Sequence, residues 1–149
     1  MYFIDREKIE RMLAYMTETL GLLKETHTWT TPLEKLALER VAQNVIEAVI
    51  DVGNQMIDGF IMRDPGSYED IIDILVDEQV VPREHEDGLK QVIRLRKSLV
   101  QDYVTLNHEA VYQVVKENID KLVSFPKHVN DYLEKELGPV SAFMPKKQQ

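Results

Sequence analysis

The sequence predicts an all-α protein, an up-and-down antiparallel bundle of about five helices. Apolar residues recur at steps of three and four along most of the chain, which is the spacing of one helical face. Residues that cap helices precede these runs, and no strand-like alternation of apolar and polar residues competes with them. Short loops between long helices make neighbouring helices antiparallel.

The first predicted helix covers residues 5 to 25, with Asp5 as its N-cap. The polar stretch from residue 27 to residue 31 ends this helix. Its apolar face consists of residues spaced three or four apart: Ile9, Met12, Leu13, Met16, Leu20 and Leu23.

The second predicted helix has the clearest start, because Thr31 and Glu34 form a capping box with Pro32 in the first turn. This helix runs to about residue 61 and ends before the turn residues Asp64, Pro65 and Gly66. Its apolar stripe consists of Leu38, Val41, Val45, Val49, Val52 and Met56.

Three further helices complete the predicted bundle. A short third helix opens at Ser67, and the fourth begins near Pro82 and carries an apolar face as far as Tyr103. Asn107 caps the fifth, in which Pro126 is expected to cause a kink or an interruption. Gly138 and the proline after it end the pattern.

Composition limits the class of protein. The 149 residues fit one domain, predicted over residues 1–143, with a disordered tail over residues 144–149. The absence of cysteine excludes disulfides and cysteine-based zinc sites. No apolar run reaches the roughly 18–20 residues of a membrane-spanning helix, and the first residues lack a secretory signal pattern. We therefore expect a cytoplasmic protein with no membrane partner.

The net charge of −8 bears on nucleic-acid binding. Non-specific binding to DNA depends mainly on Lys and Arg contacts to phosphates, so this balance argues against a protein that coats or scans DNA. It leaves room for a local phosphate site, and it also suits a basic partner.

Arg96 is the one charged residue on the apolar stripe of the fourth predicted helix. A buried charge is costly unless it is paired, so Arg96 either has an acidic partner or faces a cleft. The second helix carries a polar stripe from which Glu47 or Asp51 would hold Arg96 in position. A side chain that reaches the rim, or a purely structural ion pair, explains the position equally well.

The histidines do not suggest catalysis or metal binding. His27, His85, His108 and His128 fall near loops or on predicted polar faces, and none has metal-ligand spacing to another. Di-metal sites in bundles use Glu-x-x-His pairs, and the second helix contains no histidine. We therefore interpret the histidines as surface residues and expect neither a metal nor a cofactor.

The segment RKSLVQDY, from Arg96 to Tyr103, resembles the R-x4-H-x-Y signature of the HepT-like branch of the HEPN superfamily. The order of the other segments agrees: LERVAQNVIEAVIDVGNQMI in the second helix, then DPGSYEDIIDILVDEQVV, then the motif helix. The resemblance covers roughly residues 3 to 143.

This resemblance implies a helical bundle that forms homodimers, with motif residues of two subunits lining one cleft. It implies a metal-independent endoribonuclease that acts as a toxin, encoded beside a minimal nucleotidyltransferase antitoxin. That antitoxin transfers AMP to the motif tyrosine, which here is Tyr103. Arg96 and Lys97 would bind phosphate, with Asp102 in a supporting role beside the motif.

The sequence departs from the family signature at Gln101, which occupies the position of the motif histidine. An amide cannot act as an acid or a base near neutral pH, and losing such a group typically costs about 10²–10⁴ in rate. Asp102 is a poor substitute, since an ordinary aspartate has a pKa of about 3.9. The expected ribonuclease activity is therefore weakened or lost.

Two other functions stay open. The first is a non-catalytic dimeric module that binds a nucleotide, RNA or a partner protein, which Gln101 favours. The second is a helical oligomerisation protein without a small ligand, in which Arg96 forms an interface ion pair only.

Overall fold

The computed structural model describes residues 2–25 and 28–138 and confirms the all-α prediction. The described part of the chain contains six α-helices and two short 3₁₀ helices. The α-helices are α1 (Arg6–Lys24), α2 (Pro32–Gly59), α3 (Tyr68–Asp77), α4 (Glu86–Gln101), α5 (His108–Glu117) and α6 (Ile119–Leu137). The 3₁₀ helices, Arg83–His85 and Tyr103–Thr105, flank α4. The predicted tail over residues 144–149, like His27, lies outside the described residues.

The predicted N-caps form the expected hydrogen bonds. The Asp5 side chain accepts from the Lys8 N–H at 3.0 Å, and the Ser67 hydroxyl accepts from the Asp70 N–H at 3.1 Å. Thr31 forms a complete capping box at the start of α2, and Asn107 caps α5. Each of these side chains satisfies a backbone N–H that the helix leaves without a partner.

The longest helix, α2, is the centre of the bundle. It contacts α1, α3, α4 and α5, and it contributes buried residues to several of these contacts. Gly53 permits the close approach of α3, because a Cβ atom at that position would overlap the Ile71 side chain. None of the described helices combines the length and apolar character that crossing a membrane requires.

The chain breaks between α5 and α6 at Asn118. Of the kink or interruption predicted at Pro126, the interruption is wrong. Buried Asn118 donates from its side-chain amide to the Val114 carbonyl at 2.9 Å and to Gln91 Oε1 at 3.3 Å. A side chain that bonds to the preceding turn competes with helical bonding, and here it coincides with the helix end. In contrast, α6 continues through Pro126, with the fully buried residues Phe125 and Val129 on either side.

The fourth helix is shorter than predicted. It ends at Gln101, where Asp102 leaves the helical conformation while its N–H still bonds to the Ser98 carbonyl at 3.0 Å. Tyr103 therefore lies in the following 3₁₀ helix and is 63% exposed, so its assignment to the apolar face was wrong. Val100 is exposed as well.

Candidate functional site

Arg96 lies where three helices meet. It projects from α4 toward α2, and its Nε donates to Glu47 Oε2 at 2.6 Å. The Arg96 and Glu47 side chains are only 27% and 32% exposed, so water screens their attraction less than at an open surface. The guanidinium carbon lies 4.5 Å from the centre of the Tyr68 ring, at the first position of α3.

The guanidinium keeps hydrogen-bonding capacity for a ligand. Among the described residues, the bond from Nε to Glu47 is its one hydrogen bond, which leaves the N–H groups of both terminal nitrogens available. The hydrogen bond to Glu47 raises the pKa of Arg96, so the group stays charged at any physiological pH. A planar cation held at one nitrogen can still present its other edge to a phosphate.

Asp51 lies one turn beyond Glu47 on α2 and is not hydrogen-bonded to Arg96 in the described structure. Partial burial, and then the charge of Glu47, raise the pKa of Asp51, while Lys8 and Arg96 oppose this shift. Of the two carboxylates that the sequence offered as partners for Arg96, the structure therefore joins Glu47 to it directly.

The other motif residues do not surround Arg96 within one chain. Lys97, Gln101 and Asp102 are all exposed. Gln101 is five residues beyond Arg96, which places it about 140° around the helix at about 3.6 residues per turn. With Tyr103 on the 3₁₀ helix, the motif side chains point in several directions.

A groove between α1 and α2 borders this site. It has a volume of about 460 Å³, and Glu47 and Asp51 form part of its wall. The Asn44 amide on α2 donates to the Tyr15 hydroxyl on α1 at 2.6 Å. The remaining lining residues are Lys8, Arg11, Met12 and Ala48.

Sequence reasoning missed the contributions of α1 and of Tyr68. Lys8, Arg11 and Tyr15 lie three and four residues apart, so a polar stripe along α1 could have been recognised. Nothing in the sequence indicated which side of α2 this stripe would face. Tyr68 follows the cap Ser67, and its position beneath Arg96 depends on how α3 packs.

The three histidines in the described part of the chain, His85, His108 and His128, are partly buried and are not the surface residues that the sequence suggested. His108, at the start of α5, places Nε2 2.6 Å from Glu39 Oε2 on α2, and both side chains are largely shielded. His85 and His128 lie against each other, with ring centres 5.3 Å apart. In the described residues, no group of three or more His, Asp or Glu side chains could hold a metal ion.

Comparisons with known proteins point to one family. The model of the HepT-like ribonuclease family matches residues 7–129. The chain is 50% identical over 143 residues to YutE of Bacillus subtilis, a candidate RNase by its name, covering 96% of this chain and 99% of YutE. It superposes on the solved structure of YutE with a TM-score of 0.93, over 96% of this chain and 100% of that chain.

Two further matches come from Shewanella oneidensis, one by sequence and one by structure. The mRNA nuclease HepT is 29% identical over 83 residues, which are 56% of this chain and 62% of that protein. The structure of a tri-AMPylated HEPN toxin in complex with an MNT antitoxin matches with a TM-score of 0.71 and 21% identity. That match covers 88% of this chain and 99% of the toxin, and it shows a shared fold.

Proposed function

Because the chain belongs to the HepT-like ribonuclease family, we propose that it is the toxin component of a cytoplasmic toxin–antitoxin pair. Its activity would be metal-independent cleavage of RNA. This activity is weakened or lost, since Gln101 occupies the position of the motif histidine.

The arrangement of Arg96 carries this proposal. Metal-free cleavage of RNA requires a fixed cation that stabilises the charge developing on the phosphate. Arg96 is fixed by Glu47 at 2.6 Å and by the Tyr68 ring, and it keeps its terminal N–H groups for a ligand. Exposed Lys97, the next residue on α4, points about 100° away from Arg96 around the helix and is the proposed second cation for phosphate binding.

The proton-transfer step is the weak part of the site. Cleavage also requires a group that moves a proton between the 2′-hydroxyl and the leaving oxygen. Gln101 cannot do so, and His85 lies at the other end of α4, about 16 Å from Arg96 along the helix axis. His108 is bonded to Glu39, which is about 12 Å from Glu47 along the axis of α2.

A homodimer completes the proposed site. Gln101 and Arg96 point away from each other within one chain, so motif residues converge only across two subunits. We assign the dimer face to the groove between α1 and α2 and to its continuation between the same two helices, which shares Tyr15 and Asn44 with the groove and extends to Leu22; Tyr15 and Leu22 are exposed apolar residues. The groove also carries both signs of charge, which a two-fold related copy can pair. These charged residues are Lys8, Arg11 and Arg40 against Glu18, Glu47 and Asp51.

Tyr103 is the proposed acceptor of AMP from a minimal nucleotidyltransferase antitoxin. Its phenol is exposed on the 3₁₀ helix directly after α4, beside the exposed residue Val104. A partner enzyme can reach such a hydroxyl without unfolding the bundle. AMP on Tyr103 would place an anion close to the end of the motif helix, where it competes with RNA for the cations.

An RNA-cleavage assay tests the ribonuclease proposal. We expect Gln101→His to cleave RNA faster than the wild type, by about 10²-fold or more if the histidine restores proton transfer. Adding Arg96→Ala to this variant should abolish the gain. Arg94→Ala is the matched control, because Arg94 lies on the same helix but pairs with Glu69 through two hydrogen bonds. If Gln101→His gains no activity, the site is not that of a ribonuclease.

A second candidate function, a non-catalytic dimeric module, is favoured by Gln101 alone. Such a module would keep the cationic site and bind a nucleotide, RNA or a partner protein. Adenine nucleotides should then raise the melting temperature of the wild type, since a ligand that binds only the folded state stabilises it. Arg96→Ala should remove this shift and Arg94→Ala should retain it. A chain that responds to neither nucleotides nor RNA would contradict this candidate.

A further inference from the structure

Two histidines from different elements meet at the end of α4 that lies far from Arg96. His85 is the last residue of the 3₁₀ helix Arg83–His85 and directly precedes α4. His128 lies in the middle of α6, beside the buried residue Val129. Their ring centres are 5.3 Å apart, and the ring planes are inclined at 58°. This contact joins the start of α4 to α6.

Both rings have a nitrogen atom that is sealed from water. Nδ1 of His85 and Nδ1 of His128 are buried, and neither has a hydrogen-bond partner in the described structure. A neutral imidazole tolerates one such atom better than a charged imidazolium does, because a buried charge without a partner is far more costly. The contact therefore suits two neutral rings.

The charges on α6 offer His128 little compensation. Asp131, one turn further along α6, is already paired with Lys127 at 2.8 Å. Burial and the neighbouring ring of His85 lower the pKa of His128, and Lys127 acts in the same direction while Asp131 opposes it. Lys135 lines the cavity beside His128 and adds another positive charge.

Among the elements that face α6, the carboxylates of Glu86 and Asp77 are also not free to stabilise a charged ring. Glu86, the first residue of α4, is paired with Arg83 at 3.2 Å and with Lys90 at 3.1 Å. Asp77, at the end of α3, lies 3.5 Å from Arg83. His85 itself occupies the N-terminal end of α4, where the helix dipole disfavours a positive charge. Each of these carboxylates already has a cationic partner.

We propose that the His85–His128 contact is a proton-sensitive latch, which holds the start of α4 against α6 while both rings are neutral. A proton on one ring creates a partly buried cation beside the other ring, and a second proton adds repulsion between two cations. Either event favours separation of the 3₁₀ helix Arg83–His85 from α6.

Release of the latch has a structural consequence. A cavity of about 510 Å³ lies beside the contact, between the end of α3, the segment from Val80 to Arg83, and α6. Separation of the two rings would widen this cavity and loosen the first turn of the helix that carries Arg96. Because the latch does not require RNA cleavage or nucleotide binding, its test is independent of the proposed function.

Proton NMR of the wild-type protein tests the latch directly. The chain has four histidines, and His85→Gln and His128→Gln each remove one resonance and so assign it. We expect the His128 resonance to titrate below the ordinary histidine pKa of about 6.5, because burial and the neighbouring His85 ring oppose its protonation. In His85→Gln, the His128 resonance should titrate at higher pH than in the wild type, because the His85 ring no longer opposes protonation.

Thermal unfolding between about pH 7.5 and about pH 5 provides the second measurement, where an unperturbed histidine changes charge. Since burial and the His85 ring lower the pKa of His128 in the folded chain, the wild type should lose stability as the pH falls through this range. His128→Gln should lose less stability over the same range. His108→Gln, which leaves the pair intact, is the control and should lose at least as much stability as the wild type.

Two results would overturn the latch. The first is a wild-type titration in which the pKa of His128 equals or exceeds the ordinary histidine value. The second is an acid-induced loss of stability that is the same in the wild type and in His128→Gln. If either variant fails to fold, through-space magnetisation transfer between the two adjacent rings assigns their resonances, and the wild-type titration still decides.

Discussion

At the scale of single residues, the contact between Arg96 and Glu47 does two things at once. It holds a guanidinium in a fixed orientation, and it removes the penalty that an unpaired charge would carry between three helices. Either role alone would explain the hydrogen bond at 2.6 Å. Substitutions that keep the shape but change the charge separate the two roles.

We expect Glu47→Gln to lower the free energy of unfolding by about 1–3 kcal/mol, because it leaves a partly buried guanidinium without its carboxylate. Arg96→Met combined with Glu47→Gln should recover part of this loss, since neither charge then lacks a partner. Urea unfolding measures both. Glu69→Gln, which removes the exposed partner of Arg94, is the control and should cost less than about 1 kcal/mol. A Glu47→Gln variant as stable as the control would show that the pair is not structural.

The sequence predicted one part of this residue-scale arrangement and missed the rest. Arg96 was recognisable because a charge interrupts an apolar stripe, and Glu47 followed from the polar stripe of α2. Tyr68 was not recognisable, because its place depends on the packing of α3. The contact between His85 and His128 joins residues far apart in the chain, which no local spacing can show.

At the scale of elements, the capping box at the start of α2 has more hydrogen bonds than the motif requires, because Glu34 also binds residues before the N-cap. Glu34 accepts from the Thr31 N–H at 3.0 Å, from the Thr30 N–H at 3.1 Å and from the Thr28 hydroxyl at 2.9 Å. The bond from the Thr31 backbone, followed by those from Thr28 and Thr30, lowers the pKa of Glu34 to about 2. These bonds are stronger to the ionised carboxylate than to the protonated acid.

The pH dependence of stability follows from this shift. The folded pKa of Glu34 is below its ordinary value of 4.5, so its contribution to stability is fully present above that value. We expect it to disappear as the pH falls from about 4.5 toward about 2. In Glu34→Gln, the melting temperature should be lower at neutral pH and should fall less steeply with acid. Glu109→Gln, in the first turn of α5, is the control. If the melting temperatures of the wild type and Glu34→Gln fall in parallel as the pH is lowered, the lowered pKa of Glu34 is contradicted.

The end of α2 contains a residue in an unfavourable conformation. Ile61 has a positive φ of 58°, a region that a β-branched residue rarely adopts, and its side chain is exposed. We expect Ile61→Asn to raise the free energy of unfolding by about 0.5–1 kcal/mol, because asparagine tolerates this region and little apolar contact is lost. Urea unfolding of Ile61→Val, which keeps the branched Cβ, should show no gain. A destabilised Ile61→Asn variant would mean that the exposed side chain has another role.

Helix boundaries were predicted well where a local signal decides them. The four predicted N-caps depend on a side chain and a backbone N–H three residues apart, which the sequence shows directly. The break at Asn118 depends partly on Gln91 of α4, a contact between distant residues. At Pro126 a strong local signal gave the wrong boundary. Proline tends to interrupt a helix, but α6 continues because its neighbouring residues are buried in the core.

At the scale of the whole molecule, α2 connects the fold to the proposed site. Its apolar sides support α1, α3, α4 and α5, and its polar stripe supplies Glu39, Asn44, Glu47 and Asp51. The bundle architecture followed from periodicity alone. Periodicity did not predict which face of the bundle would expose apolar residues, because that depends on the angles at which the helices pack.

The proposed homodimer is testable at this scale. We expect wild-type protein to have twice the monomer mass of 17.3 kDa by light scattering, and its melting temperature to rise with concentration. Leu22→Glu, at a residue 44% exposed in the groove between α1 and α2, should give a folded monomer. In a dimer, the new carboxylate would replace an apolar contact and lose its hydration next to Glu18, whereas in the monomer it is hydrated. Val123→Glu, at a residue 42% exposed on α6, should stay dimeric.

The monomeric variant also shows whether the site is shared between subunits. If motif residues of two chains form one cleft, combining Leu22→Glu with Gln101→His should remove the RNA cleavage gained by Gln101→His, although Arg96 and Glu47 are intact. Val123→Glu in the same background should retain that cleavage. A monomer that still cleaves RNA would place the complete site within one chain. A wild type that is monomeric at every concentration would contradict the dimer itself.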